Sequence, residues 1–168
     1  HFLKENGVDM YEEPCPYWEL ENVAKVHEEC EKLGLPIAAG EQDYTDGAWE
    51  RMSEGGIIDI AQPDILYIGG FTRALRVAKA CAKKGIPSTS HTSNRSPIIV
   101  FGLHFMAAVD LPYDFLECGI EDDPWETSCY LNPPVISGGS APVPEGPGWG
   151  LQIDPGFLAR SRYQVSKL

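Results

Sequence analysis

The stretch that decides the fold is IIDIAQPDILYIGGFTRALRVAKACAKKGIPSTSH, residues 57–91. Its first six residues form a short apolar run of the kind found in a buried strand. Residues 71–84 place apolar side chains on one face at helical spacing and basic side chains on the other. Gly85 is expected to end this helix, and residues 86–90 form a second short strand. Such a strand–helix–strand unit predicts parallel strands joined by a right-handed crossover.

The alternation of short strands and helices continues on both sides of this unit. Predicted helices begin or end at Gly, Pro or Ser, as at Ser96-Pro97, which places an N-cap and a proline at the first helical position. A parallel α/β sheet is therefore the predicted fold class, with residues 1–122 as one domain. The further predicted elements are strands at 8–11, 36–39 and 114–117 and helices at 20–33, 45–54 and 98–109.

The composition changes after residue 122. Proline, glycine and serine dominate residues 132–150, and a helical pattern returns only at 155–160. We predict that residues 123–168 form an ordered but irregular tail, with a linker or a disordered tail as the alternative. Large apolar residues such as Trp149 and Phe157 indicate that this tail docks on another surface.

The overall composition restricts the class of protein. The chain has 168 residues, 43% of them hydrophobic, which is enough for one domain with its own core. Its 13 basic and 25 acidic residues give a net charge of −12, which argues against a nucleic-acid or anionic-membrane partner. We expect a cytoplasmic protein, because no apolar run approaches the roughly 20 residues of a membrane span and no signal-peptide pattern is present. The five cysteines form no Cys-x-x-Cys pair, so neither a disulfide framework nor a thiolate metal site is indicated.

Ionisable residues stand where each predicted strand ends. They follow one another at intervals of 29, 23, 27 and 26 residues, about one strand–helix unit each time. Since parallel strands point their carboxyl ends at one face, these side chains should converge where barrels of this kind build their active sites. For any one carboxylate the alternative is a helix cap. The five residues are Glu12, Glu41, Asp64, His91 and Glu117.

The chemistry of this set suggests a metal and a base. Converging carboxylates repel one another unless a cation lies among them, and hard oxygen ligands favour Mg²⁺. His91 has the character of a base and Asp64 that of the carboxylate that orients it, although a structural histidine is the alternative. His27 and His104 lie within predicted helices, where a structural role is favoured.

These residues occur within motifs that resemble the enolase superfamily, and in their order and spacing its mandelate racemase subgroup. The hallmark of that subgroup is an Asp/His dyad on successive strands. A segment near the end of the chain, Gly148–Asp154, also resembles the closing segment of the family. The motifs are Glu12-Glu13-Pro14, Gly40-Glu41-Gln42, Gln62-Pro63-Asp64, Ile68-Gly69-Gly70, Ser90-His91 and Glu117.

The resemblance implies a role for each residue of the set. Glu12 and Glu41 would be two of three Mg²⁺ ligands. Asp64 and His91 would be the base dyad. Glu117 would be the acid that hydrogen-bonds the substrate carboxylate as negative charge builds on it.

The resemblance also implies that part of the enzyme is missing from this sequence. Residues 1–122 would be about strands 4–8 of an eight-stranded TIM-type β/α barrel, and residues 123–168 a tail that packs on the barrel or on the absent capping domain. The third metal ligand and a lysine base motif belong to the absent strands. We therefore expect the C-terminal part of a longer enzyme, which in this family is commonly a homo-oligomer.

The implied reaction is Mg²⁺-dependent removal of the proton α to a carboxylate, followed by loss of water from a sugar acid. A racemase or epimerase of a 2-hydroxy acid, which returns the proton to the other face, is the alternative. A non-catalytic fragment or subunit is the alternative from another class. Arg95 would contact a distal group of the substrate, or is a solvated loop residue.

Overall fold

Helices and very short strands alternate along the chain. The computed structural model describes residues 1–93, 96–120 and 128–166. Within them the strands are β1 (Tyr11–Glu12), β2 (Ile37–Ala39) and β3 (Ile60–Ala61). The helices are α1 (Phe2–Glu5), α2 (Leu20–Glu31), α3 (Asp46–Glu54), α4 (Phe71–Ala82), α5 (Pro97–Ala108) and α6 (Pro155–Arg160).

The strands form one parallel sheet in chain order. Tyr11 pairs with Ile37, and Ala38 pairs with Ile60, so β2 lies between β1 and β3. Two isolated parallel bridges continue the order, from Ala61 to Ser88 and from Ser88 to Pro112. Five chain segments are thus arranged side by side and joined by helices, which confirms the predicted partial β/α barrel.

The prediction of a last strand at residues 114–117 is wrong. The structure places the bridge at Pro112, and the N–H of Tyr113 donates to Ser88 O at 2.8 Å. Beyond this point a side chain replaces the ladder, because the Thr89 hydroxyl donates to Phe115 O at 2.8 Å. The apolar character of the segment predicted a strand, but regular pairing depends on the register of its neighbour, which the segment itself does not encode.

The ends of α4 show how local sequence signals position the next strand. The helix ends at Ala82, and Gly85 follows with φ +78°. The N–H of Ile86 donates to Cys81 O at 3.1 Å, and the N–H of Gly85 donates to Ala82 O at 3.0 Å. These two bonds are the Schellman motif, which turns the chain back toward the sheet.

The core lies between the sheet and the helices that cover its outer face. β2 is buried along its whole length because helices α2, α3 and α4 each direct an apolar face toward the sheet. Such continuous burial is typical of strands in parallel sheets. The largest fully buried side chains include Phe105, Ile37, Met52 and Ile60.

The tail contacts α4 and α5 through Trp149. The ring centroid of Trp149 lies 4.6 Å from that of Phe101 and 5.4 Å from that of Phe71. The ring nitrogen Nε2 of His104 lies 3.2 Å from Trp149 O. Farther along, Tyr130 and Ile153 form an antiparallel bridge within the tail. Among the described residues, the helices are too short or too polar to cross a lipid bilayer.

Candidate active site

His91 lies at the centre of the predicted set of strand-end residues. Its Nδ1 lies 2.9 Å from Asp64 Oδ2, and its Nε2 lies 3.4 Å from Glu41 Oε2 and 3.9 Å from Glu117 Oε2. The residues follow four neighbouring parallel segments of the chain, two of them strands and two of them single bridges, which all run toward the same face. The side chain of His91 is only 12% exposed, so these charges interact in partly desolvated surroundings.

Backbone hydrogen bonds hold the carboxylate of Asp64 in place independently of His91. Asp64 is 2% exposed, and its Oδ1 accepts the N–H of Leu66 at 2.6 Å and of Tyr67 at 2.9 Å. Burial alone would raise the pKa of Asp64, but the bonds from His91, Tyr67 and Leu66 outweigh it and hold that pKa below its usual value. Asp64 is therefore a charged acceptor, and His91 Nδ1 is the donor.

The pair with Asp64 determines what the other nitrogen of His91 can do. The hydrogen bond that His91 donates to Asp64 raises the pKa of His91, burial opposes this, and the charges of Glu41 and Glu117 raise it further. With its proton held on Nδ1, the neutral ring presents a basic lone pair at Nε2 toward the two glutamates. The arrangement can accept a proton at Nε2 and stabilise the cation that results.

Glu117 is held through its neighbour on the preceding segment. The N–H of Thr92 donates to Glu117 Oε2 at 2.8 Å, and the Thr92 hydroxyl donates to Glu117 O. The Glu117 side chain remains 34% exposed, so it is anchored without being enclosed.

Glu12, the last residue of β1, lies in the same field of negative charge. Burial raises the pKa of Glu12, the charge of Glu117 raises it further, a hydrogen bond from the Gln62 side chain lowers it, and the charge of Glu41 raises it. Gln62 is 1% exposed, and its Oε1 is buried without a hydrogen-bond partner, so its amide N–H group is the donor to Glu12. Glu12, Gln62 and Glu117 also line a cavity of about 280 Å³.

The carboxylates suit a hard divalent cation but do not complete a site for one. Burial is the main cause of the raised pKa of Glu12, and the charges of Glu117 and Glu41 add to it, so carboxylates lie close together here. Mg²⁺ prefers such oxygen donors. Within residues 1–93, 96–120 and 128–166, however, no group of three or more His, Cys, Asp or Glu side chains is arranged to hold a metal ion. Glu12 and Glu41 are thus two carboxylates that could serve as ligands, and the described residues do not form a complete metal site.

Glu13 connects the two candidate ligand segments. Its backbone has φ +40°, and its N–H donates to Ala38 O at 3.0 Å. Burial raises the pKa of Glu13, the charge of Glu41 raises it further, and a hydrogen bond from the backbone N–H of Gly40 lowers it. The ends of β1 and β2 are thus tied together beside Glu12 and Glu41.

The prediction from sequence named the converging side chains but not the groups that hold them. Gln62 entered only as part of a motif, and Thr92 was not singled out. Gln62 follows β3 directly and stands two residues before Asp64. In an extended chain this even spacing indicates that the two side chains point to the same side. Thr92 carries no comparable signal, because its partner is distant in sequence. Arg95 lies outside the described residues.

Comparison with known proteins identifies relatives over nearly the whole chain. A family described as Enolase C-terminal domain-like matches residues 1–157. The chain is 28% identical over 166 residues to D-galactarolactone cycloisomerase of Agrobacterium fabrum, covering 93% of this chain and 42% of that protein. It is 27% identical over 156 residues to arabinonate dehydratase of Saccharolobus solfataricus, covering 93% and 40%. A crystal structure of a proposed racemase from Roseobacter denitrificans superimposes with a TM-score of 0.89 at 40% identity, covering 100% of this chain and 46% of that one.

Proposed function

The chain belongs to the enolase C-terminal domain-like family, and on that premise we propose that it supplies part of the active site of an acid-sugar dehydratase. It spans about 40% of the length of the curated relatives described above. The whole enzyme would remove the proton α to the carboxylate of a sugar acid and then expel a β-hydroxyl as water. The observation that carries the proposal is His91, with Nδ1 bonded to buried Asp64 and Nε2 directed at Glu41 and Glu117.

His91 acts as the base in the proposed reaction. Nε2 takes the α-proton, and Asp64 stabilises the imidazolium that forms and keeps the ring in one orientation. The same proton can then be delivered to the departing β-hydroxyl, so that water leaves and a 2-keto-3-deoxy acid results after tautomerisation. The first transfer needs the proton of the α-carbon within reach of Nε2, and the second needs the β-hydroxyl oxygen within hydrogen-bond reach of the same nitrogen.

Glu117 stabilises the charge that develops when the α-proton leaves. In its protonated form it donates a hydrogen bond to the substrate carboxylate as that group gains negative charge. Glu12 and Glu41 would hold Mg²⁺, which when bound supplies the larger part of this charge stabilisation. Thr92 keeps the Glu117 side chain on the His91 side of the site.

Racemisation or epimerisation is the second candidate. It is favoured by the relative of 40% identity, which is described as a proposed racemase. The two reactions share the first step and diverge afterwards, when a proton returns to carbon instead of a hydroxyl leaving. The site residues named above serve both outcomes, so the products must discriminate between them.

The first experiment is to incubate the full-length protein and Mg²⁺ with a panel of sugar acids and follow 2-keto-3-deoxy acids by derivatisation and mass spectrometry. Dehydration of at least one acid supports the proposal. Exchange of the α-proton with deuterated solvent and change of configuration without dehydration would establish the racemase instead. Absence of both, in protein that is folded and metal-loaded, would overturn the common first step.

The base is tested by His91→Asn, with His104→Asn as the matched control. His104 lies on α5, and its ring contacts Trp149 of the tail. We expect His91→Asn to abolish exchange of the α-proton on one stereochemical face, while His104→Asn retains it. Exchange at the wild-type rate in His91→Asn would remove His91 from the role of base.

The metal ligands are tested by calorimetric Mg²⁺ titration of Glu12→Gln and Glu41→Gln, with exposed Glu50→Gln on α3 as control. Each ligand variant should weaken binding by about 10-fold or more, and the control should bind as the wild type does. The chain alone, with two carboxylates, should bind no more tightly than the millimolar range. Unchanged affinity in both ligand variants would refute this assignment.

A further inference from the structure

Glu117 lies beyond the last backbone bridge of the sheet. Ser88 and Pro112 form that bridge, and the segment that follows reaches Glu117 without further ladder pairing to any of the described residues. A residue proposed to touch the substrate thus lacks the ladder that fixes Glu12 in β1. We propose that Thr92 is the positioning residue that holds Glu117 in register with His91, an inference that rests on the proposed role of Glu117.

Thr92 binds both the main chain and the side chain of Glu117. Its N–H donates to Oε2 of the carboxylate at 2.8 Å, and its hydroxyl donates to the carbonyl oxygen of the same residue. The bound Oε2 is also the oxygen that lies 3.9 Å from His91 Nε2. Thr92 follows His91 directly in the chain. The bonds from Thr92 therefore fix the position of Glu117, the proposed acid, relative to His91, the proposed base.

Helix α5 fixes Thr92 from the other side. Thr92 is 0% exposed, and a Cβ placed on Gly102 would lie 2.7 Å from Thr92 Cγ2 and 3.1 Å from Leu116 Cδ1. The methyl group of Thr92 therefore packs against the space left by the glycine, with Leu116, the neighbour of Glu117, beside it. This packing limits the rotation of the threonine and so directs its hydroxyl toward Glu117 O.

The two functions of the threonine side chain can be separated by substitution. Thr92→Ser keeps the hydroxyl and loses the methyl group, whereas Thr92→Val keeps the branched shape and loses the hydroxyl. The matched control is Thr89→Val, because Thr89 is also buried and its hydroxyl also donates to a carbonyl of the same segment, that of Phe115. The control removes an equivalent bond that does not involve Glu117.

The experiment measures kcat, KM and thermal unfolding of these variants in the full-length protein. Displacement of a group that acts mainly in the transition state lowers kcat more than it raises KM. We expect Thr92→Val to lower kcat by about 10-fold or more, because small misplacements of a positioned group have effects of up to about 100-fold. Thr92→Ser should restore kcat to within about threefold of wild type, and Thr89→Val should lower the Tm as Thr92→Val does while keeping kcat within about threefold.

A second measurement separates this inference from the proposed function. Amide hydrogen exchange at residue 92, whose N–H donates to Glu117 Oε2, should be faster in Thr92→Val than in Thr89→Val, whether or not a sugar acid is turned over. If exchange is faster in Thr92→Val but the protein turns over no sugar acid, the positioning role of Thr92 is supported and only the proposed function is refuted. Equal exchange in the two variants, or an unchanged kcat in an active Thr92→Val, overturns the positioning role. If Thr92→Val does not fold, Thr92→Ala compared with Thr92→Ser makes the same test.

Discussion

Replacing Gly40 by alanine should destabilise the full-length protein by roughly 2–6 kcal/mol. Gly40 stands directly before Glu41 with φ +117°, a conformation that costs a residue with a Cβ about 1–3 kcal/mol. The added Cβ would also lie 2.8 Å from Cζ2 of Trp49 and closer still to Cη2. Overpacking of this kind adds about 1–3 kcal/mol.

Trp49 has little freedom to move away from the added methyl group. It is 4% exposed, and its Nε1–H donates to Asp43 O at 2.9 Å, so the ring is held in the turn that follows β2. The strain should therefore pass into residues 40–43 and displace Glu41. We expect weaker Mg²⁺ binding in addition to lower stability.

The assay is urea unfolding followed by circular dichroism, with Gly47→Ala as the matched control. Gly47 lies in α3, and a Cβ there has no atom within 4 Å. The same substitution should stabilise the protein at that position by about 0.5–1 kcal/mol, since glycine is unfavourable in a helix. The two variants should consequently shift the unfolding midpoint in opposite directions.

A Gly40→Ala midpoint equal to or above that of the wild type would refute this reasoning. A double variant identifies the contact responsible. Trp49→Phe removes the outer ring atoms that the new Cβ meets, so part of the Gly40→Ala penalty should disappear when the two changes are combined. Strict additivity of the two changes would show that the ring is not the cause.

Three further predictions concern the His91 pair and the tail. In protein treated with EDTA, the stability difference between wild type and His91→Asn should be largest between about pH 3.8 and 6.5, the ordinary pKa values of Asp64 and His91. It should shrink as the pH rises through the raised pKa of His91, and as it falls through the lowered pKa of Asp64. Trp149→Ala should release the tail from Phe71 and neighbouring residues and increase the rate of limited proteolysis within residues 128–166. Asp154→Ala should cost about 0.5–2 kcal/mol, because its carboxylate caps α6 by accepting two backbone N–H groups.

Each of these predictions has an outcome that contradicts it. A difference between wild type and His91→Asn that is constant from pH 3 to 9, measured by urea unfolding on about a one-unit pH grid, would mean that the pair contributes no charge-dependent stability. Identical digestion patterns for Trp149→Ala and the wild type would show that the ring is not what holds the tail. An Asp154→Asn variant, which can still accept a hydrogen bond, should be less destabilised than Asp154→Ala, and equal losses would argue against capping.

The helices were predicted well because their signals are local. The prediction of α4 over 71–84 agrees with the observed Phe71–Ala82, and the Ser96-Pro97 signal correctly placed the start of α5 at Pro97. Periodicity determines which face of such a helix is buried, and caps determine its ends. Both kinds of information are contained in the segment itself.

The strands and the fine geometry of the site were predicted less completely. The sheet ladders are shorter than the apolar runs that signalled them, as in β3, where Ile60–Ala61 corresponds to a predicted strand over 57–62. Ladder length depends on the register of a partner from another part of the chain. The same limit applies to Thr92, whose contact with Glu117 joins residues that no local pattern connects.

The shortness of these strands has a consequence for the divergence of such proteins. Regular backbone pairing involves only two or three residues of each strand, and the candidate site residues stand at its last position or beyond it. A substitution at Glu41, His91 or Glu117 therefore changes the chemistry of the candidate site without removing a ladder bond. Natural selection can alter such a site while the sheet and helices that carry it stay the same. The cycloisomerase and the dehydratase related to this chain accordingly have different activities although they share an ancestor.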